Sequence, residues 1–156
     1  MSSNIYLARD YPHSRTKVWT TLTDPILMAL WGMRPDGFAP IVGTHFRLIG
    51  EPNRMWRGFI ECKVIEVRAP EMIAYSWIGN TGDAPSQLAY TLAEISQGTR
   101  LSVAHTGFSG IGGFLFARLV MKPGLKKTLD HELPRVFANL MEDGTVRPDS
   151  TLTPKF

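Results

Sequence analysis

Residues 86–106 read SQLAYTLAEISQGTRLSVAHT, and this stretch decides the fold class. Apolar side chains recur at every second position on both sides of Ser96-Gln97-Gly98, whose small and polar residues are typical of a tight turn. A period of two predicts strands with one buried face, so the stretch predicts an antiparallel hairpin. Its inward face would carry Leu88, Tyr90, Leu92, Leu101, Val103 and His105.

The segments before this hairpin repeat the pattern. Short turns that contain Gly or Pro separate most of them, as in an antiparallel meander, whereas residues 34–43 read as a loop. In residues 56–67 the apolar positions change phase near Ile65, which predicts a β-bulge. We therefore expect a curved antiparallel sheet of about six or seven strands. The further strands would lie at residues 5–11, 44–49, 56–67 and 72–78.

Two short helices are predicted after the first strand. Ser14 is suited to begin a helix through Val18 and Leu22, because its hydroxyl can accept a hydrogen bond from a free backbone N–H. Asp24 followed by Pro25 predicts a second helix start, since Asp is a favoured cap and Pro is favoured at the first helical position.

The last part of the chain predicts helices. Residues 107–113 are rich in glycine and would form a flexible gate, followed by an apolar helical stretch at residues 114–121. Pro123 and Gly124 are predicted to break or kink this helix. A longer helix, bent at Pro134, would then lay an apolar stripe against the sheet. That stripe is Leu125, Leu129, Leu133, Phe137 and Leu140. The fold class is therefore α+β.

The size and charge of the chain limit its organisation. A length of 156 residues suits one domain, so we expect a single domain at residues 1–142 and a poorly ordered tail at residues 143–156. The net charge of +3 comes from basic residues scattered among acidic ones, which disfavours a nucleic-acid partner. The sequence is compatible with a homodimer.

The expected location is the cytoplasm. Cys62 is the single cysteine, so no intramolecular disulfide can form, and the first ten residues lack the pattern of a signal peptide. No apolar run is long enough to predict a membrane span.

The order of strand, two short helices, meander and long final helix resembles the helix-grip fold of the START-like (SRPBCC) superfamily. Three motifs are similar to bacterial homologues of the heat-shock-protein ATPase activator: Leu22-Thr23-Asp24-Pro25, Gly43-Thr44-His45-Phe46 and His105-Thr106-Gly107-Phe108. The C-terminal half looks closer to the polyketide cyclase and dehydrase-like branch. The resemblance implies a cavity between the sheet and the last helix that accepts apolar or aromatic small molecules.

Large apolar side chains dominate the predicted interior. Aromatic walls bury a large area with few rotamers and suit a flat or lipid-like ligand, although such residues can equally fill a core. Methionines, among them Met33, Met55 and Met121, would add adaptable surface. The candidate ligand-binding residues are Trp31, Phe46, Trp56, Tyr75, Trp77, Tyr90, His105, Phe108, Leu125, Leu129, Leu133 and Phe137.

His105 is the one polar residue that alternation places inside. It could bind a ligand or transfer a proton, but a histidine that simply holds neighbouring strands together is the more common case. No metal or cofactor site is predicted: in His131-Glu132 the second histidine of a zinc motif is replaced by Arg135, and Cys62 has no partner cysteine.

Three hypotheses follow. The sequence favours a binding protein that encloses an apolar or amphipathic small molecule, because the concave face is aromatic and a catalytic set is missing. The alternative is an enzyme of the cyclase, dehydratase or hydrolase type, with His105 and Tyr75 or Tyr90 as proton-transfer groups. A chaperone-associated interaction protein is a third hypothesis, suggested by the family resemblance.

Overall fold

The computed structural model describes residues 3–154. Its centre is one antiparallel sheet of seven strands in the order β1-β7-β6-β5-β4-β3-β2. The strands are β1 (Ile5–Tyr11), β2 (Arg34–Asp36), β3 (His45–Ile49), β4 (Phe59–Arg68), β5 (Met72–Trp77), β6 (Ser86–Ile95) and β7 (Gly98–Thr106). The α+β class and the strand number are thus confirmed.

The strand β2 is the element that the sequence did not predict. It has three residues with Pro35 in the middle, and it pairs only with β3 at the edge of the sheet. An edge strand tolerates proline because the missing N–H faces no partner strand. The predicted bulge is confirmed, since the register of β4 against β5 shifts between Val64 and Glu66.

Two helices follow β1 as predicted. The helix α1 (Arg15–Thr23) begins at Ser14, whose side chain accepts a hydrogen bond from the Lys17 backbone N–H. The helix α2 (Pro25–Trp31) begins at Asp24, whose carboxylate accepts from the backbone N–H groups of residues 26 and 27.

The C-terminal helix, α3, runs from residue 110 to residue 137 without a break, so the predicted interruption at Pro123 and Gly124 is wrong. A proline in an α-helix loses one hydrogen bond and collides with the carbonyl four residues earlier. Here a wider π-helical turn precedes each proline and relieves the collision. The π-helical segments are Ala117–Met121, before Pro123, and Thr128–Glu132, before Pro134.

A side chain from β1 completes the hydrogen bonding of the second π-helical turn. The Leu133 N–H donates to the Thr128 carbonyl, and Pro134 has no N–H to offer the Leu129 carbonyl. The buried Tyr11 hydroxyl donates to that Leu129 oxygen at 2.6 Å. The sheet therefore holds α3 at the point where its own hydrogen bonds are interrupted.

The hydrophobic core lies between the concave face of the sheet and the second half of α3. The five apolar residues predicted for this helix are all buried, at most 7% exposed, although the last of them, Leu140, lies beyond the end of α3. The first half of α3 is different, because none of the side chains of Gly110–Phe116 is buried. The helix therefore stands away from the core at its N-terminal end.

The chain after α3 folds back along the helix end. Val146 forms an isolated β-bridge with Leu140, and the Arg147 backbone N–H donates to the Asn139 carbonyl at 2.9 Å. The buried Lys17 ammonium donates to the Leu140 carbonyl at 3.1 Å and lies 3.3 Å from a Glu142 carboxylate oxygen. Of the predicted domain and tail, residues 1–2 and 155–156 lie outside the described residues.

Candidate ligand-binding site

A cavity of about 890 Å³ lies between one end of the sheet and the first half of α3. This volume is in the range of sites that enclose drug-sized molecules. Its wall is mostly apolar. The apolar side chains that line it are Met33, Met55, Trp56, Ile60, Trp77, Ala84, Phe108, Phe116, Val120 and Met121.

Polar groups are few on this wall. Asn53, Asn80, Asp83 and Ser109 belong to loops that border the cavity, and Ser86 begins β6. Asp83 is held in its loop, because a carboxylate oxygen accepts a hydrogen bond from the Asn80 backbone N–H at 2.9 Å. Among the described residues, no lysine or arginine belongs to the lining.

His105 lies directly behind this wall. Its ring is fully buried, packs edge-on against Trp77 with centroids 5.2 Å apart, and lies 4.5 Å from the ring centroid of Phe108. Its Nε2 atom is 2.8 Å from the Ser86 hydroxyl oxygen. Because Trp77, Phe108 and Ser86 all line the cavity, His105 supports three of its wall residues without lining it.

The contact between His105 and Ser86 allows two tautomers. The Ser86 hydroxyl has one proton and also lies 3.3 Å from the Trp77 carbonyl oxygen. If it donates to that carbonyl, Nε2 of His105 carries a proton and donates to Ser86; if it donates to Nε2, the ring proton is on Nδ1. Nδ1 has no hydrogen-bond partner within the described part of the chain. Burial lowers the pKa of His105 to about 4, so the ring is neutral at physiological pH.

Trp56 is another aromatic residue of the wall. It is held by its indole N–H, which donates to the Gly79 carbonyl at 3.0 Å. The Arg57 guanidinium ties the same two loops together, because it donates to the Ile78 carbonyl and to the Thr81 hydroxyl. The loop before β4 and the loop after β5 are therefore fastened to each other beside the cavity.

Three of the predicted site residues line the cavity, namely Trp56, Trp77 and Phe108. His105 stands behind the wall, as described above. The structure places the other eight in the packed core: Trp31, Phe46, Tyr75, Tyr90, Leu125, Leu129, Leu133 and Phe137. Strand alternation identifies the inner face correctly, but it does not show where that face is covered by side chains and where it stays open.

Tyr75 and Tyr90 lie side by side in the core and have no access to the cavity wall. Burial raises the pKa of Tyr90 to about 12 and that of Tyr75 well above its ordinary value. Burial also raises the pKa of the neighbouring Cys62 thiol. All three groups stay protonated at neutral pH, so Cys62 is not an activated nucleophile.

Most of the lining on α3 is absent from the site residues predicted from the sequence. Gly112, Gly113, Phe116, Val120 and Met121 face the cavity. Two signals pointed there, because Gly112 and Gly113 belong to the predicted gate and Met121 is one of the adaptable methionines. Gly113 is close-packed, since a Cβ atom there would lie 3.3 Å from the Phe108 Cβ.

The described residues contain no group of three or more His, Cys, Asp or Glu side chains placed to hold a metal ion. Within residues 3–154, no helix is long and apolar enough to cross a membrane.

Comparison with protein families identifies the relatives of this chain. The family model for "Activator of Hsp90 ATPase homolog 1-like protein" matches residues 12–138. The chain belongs to this family. Membership confirms the predicted START-like resemblance, and it agrees with the sheet, the two short helices and the final helix described above. A search of curated proteins finds no match.

Solved structures share the fold. MLL2253 from Mesorhizobium loti is 26% identical, with a TM-score of 0.69 over 85% of this chain and 97% of that protein. CalU16 from Micromonospora echinospora is 21% identical, with a TM-score of 0.65 over 81% of this chain and 71% of that one. DynU16, from the dynemicin biosynthetic locus, is 20% identical, with a TM-score of 0.69 over 86% of this chain but 48% of its own. CalU16 and DynU16 are similar in fold alone.

Proposed function

We propose that this protein binds an apolar or amphipathic small molecule in the cavity between the sheet and the first half of α3. The observation that supports the proposal is a mostly apolar cavity of about 890 Å³, in which the Ser86 hydroxyl is set into the wall and backed by His105, while the other polar lining residues belong to the bordering loops. A ligand would bury its body against Trp56, Trp77 and Phe108.

The wall also suggests the charge of the ligand. Burying a carboxylate without a cation is costly, and no lysine or arginine of residues 3–154 lines this cavity. Asp83 at its border adds negative charge that repels an anion. The preferred ligand is therefore neutral or weakly cationic, with a hydroxyl or amine that can donate a hydrogen bond to the Ser86 oxygen.

A second candidate function is proton-transfer catalysis of the cyclase, dehydratase or hydrolase type. The 2.8 Å contact between His105 and Ser86 favours it, because it joins a basic ring to a group on the cavity wall. Two features oppose it. Nδ1 of His105 meets no acidic partner in the described part of the chain that could orient the ring, and a pKa near 4 makes the ring a weak base at neutral pH.

A pair of fluorescent probes with the same aromatic skeleton tests the proposal. N-phenyl-1-naphthylamine is neutral, and 8-anilino-1-naphthalenesulfonate adds a sulfonate. We expect saturable binding of the neutral probe. The anionic probe should bind with an affinity at least about tenfold lower, because its sulfonate would be desolvated beside Asp83. An absence of saturable binding by the neutral probe would contradict the proposal.

The catalytic alternative has its own test. If a reaction is found in the pocket, His105→Gln should abolish it while leaving probe binding within about threefold, since His105 lies behind the wall. Unchanged turnover in this variant would eliminate the proton-transfer mechanism.

A further inference from the structure

The outer surface of α3 next to the cavity is apolar, in contrast to the outer surface of an ordinary globular helix. Ile111, Leu115 and Leu119 recur at intervals of four residues and are 73%, 47% and 67% exposed. Phe116 and Val120 line the cavity and are themselves 43% and 55% exposed. A contiguous exposed apolar surface of this kind marks an interaction site.

A row of basic side chains borders this apolar surface. Arg118, Lys122 and Lys126 also recur every four residues, and each of the first two follows a member of the apolar row by three positions, which makes the rows neighbours on the helix. Together with Phe114 and Ile5 they line a second, open depression of about 540 Å³. Residues 107–129 contain no Asp or Glu.

The three basic side chains are exposed and available. Within residues 3–154, none of them lies within ion-pair distance of a carboxylate. Asp130, the first acidic residue further along α3, is already held by two hydrogen bonds from Arg9. The positive charges of Arg118 and Lys122 are therefore not paired within the described fold, while Lys126 still attracts Asp130 along the helix.

We propose that the first half of α3 docks on the surface of a bilayer that contains anionic phospholipids, with Leu115 and Leu119 entering the interface and Lys122 and Lys126 contacting headgroup phosphates. Apolar residues on one side and Lys or Arg on the other are the features by which helices bind such surfaces in the membrane plane. This inference rests on the proposed function and adds to it a source of the ligand.

The position of the cavity supports a membrane as the partner. Phe116 and Val120 belong both to the exposed surface and to the cavity wall, so the mouth would face the bilayer after docking. An apolar ligand could then pass between lipid and protein without crossing water. A second copy of this chain fits less well, because two such faces would bring rows of like charge together.

Vesicle flotation of the full chain tests the proposal. Vesicles of phosphatidylcholine alone and with phosphatidylglycerol are compared, at low and at high salt. We expect binding to the anionic vesicles that salt weakens, since exposed charges are screened. No binding to anionic vesicles, or equal binding to both compositions, would overturn the proposal.

Matched variants locate the contact. Lys122→Glu should weaken binding to anionic vesicles by about tenfold or more, because each basic residue near such a surface contributes substantially. Lys63→Glu, at a lysine that is also exposed but lies on β4, should not. Leu119→Ser should also weaken binding by about tenfold, whereas Ile26→Ser, at a residue 72% exposed on α2, should not. Equal effects of test and control variants would overturn the proposal.

Two further measurements separate this inference from the proposed function. The neutral naphthylamine probe is titrated without vesicles, and we expect Lys122→Glu and Leu119→Ser to bind it normally, which also shows that they are folded. Probe binding without vesicle binding would overturn docking and leave the proposed function intact. Light scattering that shows a dimer dissociated by Leu119→Ser would overturn docking in favour of a second copy.

Discussion

Nε2 of His105 lies 2.8 Å from the hydroxyl oxygen of Ser86, and this contact joins the buried core to the cavity wall. Ser86 pairs with Trp77 across β5 and β6, and His105 lies on the other side of β6, in β7. Three neighbouring strands thus meet at the Ser86 hydroxyl, and the wall around it is mostly apolar. A fixed hydroxyl at such a point can orient a ligand that the rest of the wall holds only by its shape.

Ser86→Ala should affect ligands according to their polarity. We expect the affinity for 1-naphthol to fall by up to about tenfold, because one hydrogen bond contributes about 1 kcal/mol, while the affinity for naphthalene stays unchanged. Titration of both compounds against both proteins measures this difference. A loss of naphthalene binding equal to that of naphthol would show that the hydroxyl only supports the fold.

His105 should make the stability of the protein depend on pH. Its pKa in the folded state is lowered to about 4 by burial, below the 6.5 of a free histidine, so the unfolded chain binds the proton more tightly. The contribution is present above about pH 6.5 and is lost as pH falls towards about 4, to a limit of about 3 kcal/mol.

Denaturant titrations across this pH range check that contribution. His105→Gln should have a shallower decline than the natural chain, because Gln does not titrate. The pKa of His13 is also lowered by its burial, but His13 is present in both proteins and does not enter the difference. Parallel declines in the two proteins would contradict the assignment of a neutral, buried His105.

Tyr11→Phe should destabilise the chain, because it leaves the Leu129 carbonyl without a donor at the π-helical turn. The loss of a partner for a buried acceptor costs about 1–3 kcal/mol. Tyr6→Phe is the matched control: Tyr6 belongs to the same strand and is 66% exposed, so its change should be within about 0.5 kcal/mol. Thermal or chemical unfolding measures both, and similar losses for the two variants would contradict the role of Tyr11.

The sheet could be predicted from the sequence to within a few residues. Strand alternation has a period of two, so β6 was predicted with its observed bounds, Ser86–Ile95, and the phase change near Ile65 revealed the bulge. The short strand β2 was missed, because three residues around a proline show no alternation.

The helix and the cavity were harder to predict for different physical reasons. A proline rule that assumes α-helical geometry predicts a break at Pro123, whereas π-helical turns let α3 continue. The burial of His105 follows from strand alternation and is confirmed. The cavity depends on how far residues 110–121 stand from the sheet, a distance set by tertiary packing that no local pattern records.

The most direct test of the central claim is a titration with N-phenyl-1-naphthylamine of two variants of the same helix. Gly112 lines the cavity and Gly124 does not, and a Cβ atom added at either meets no other atom within 4 Å. We expect Gly112→Leu to fill part of the cavity and weaken binding by about tenfold or more, and Gly124→Leu to leave it unchanged. Equal binding by Gly112→Leu, Gly124→Leu and the natural chain would contradict the cavity as the binding site.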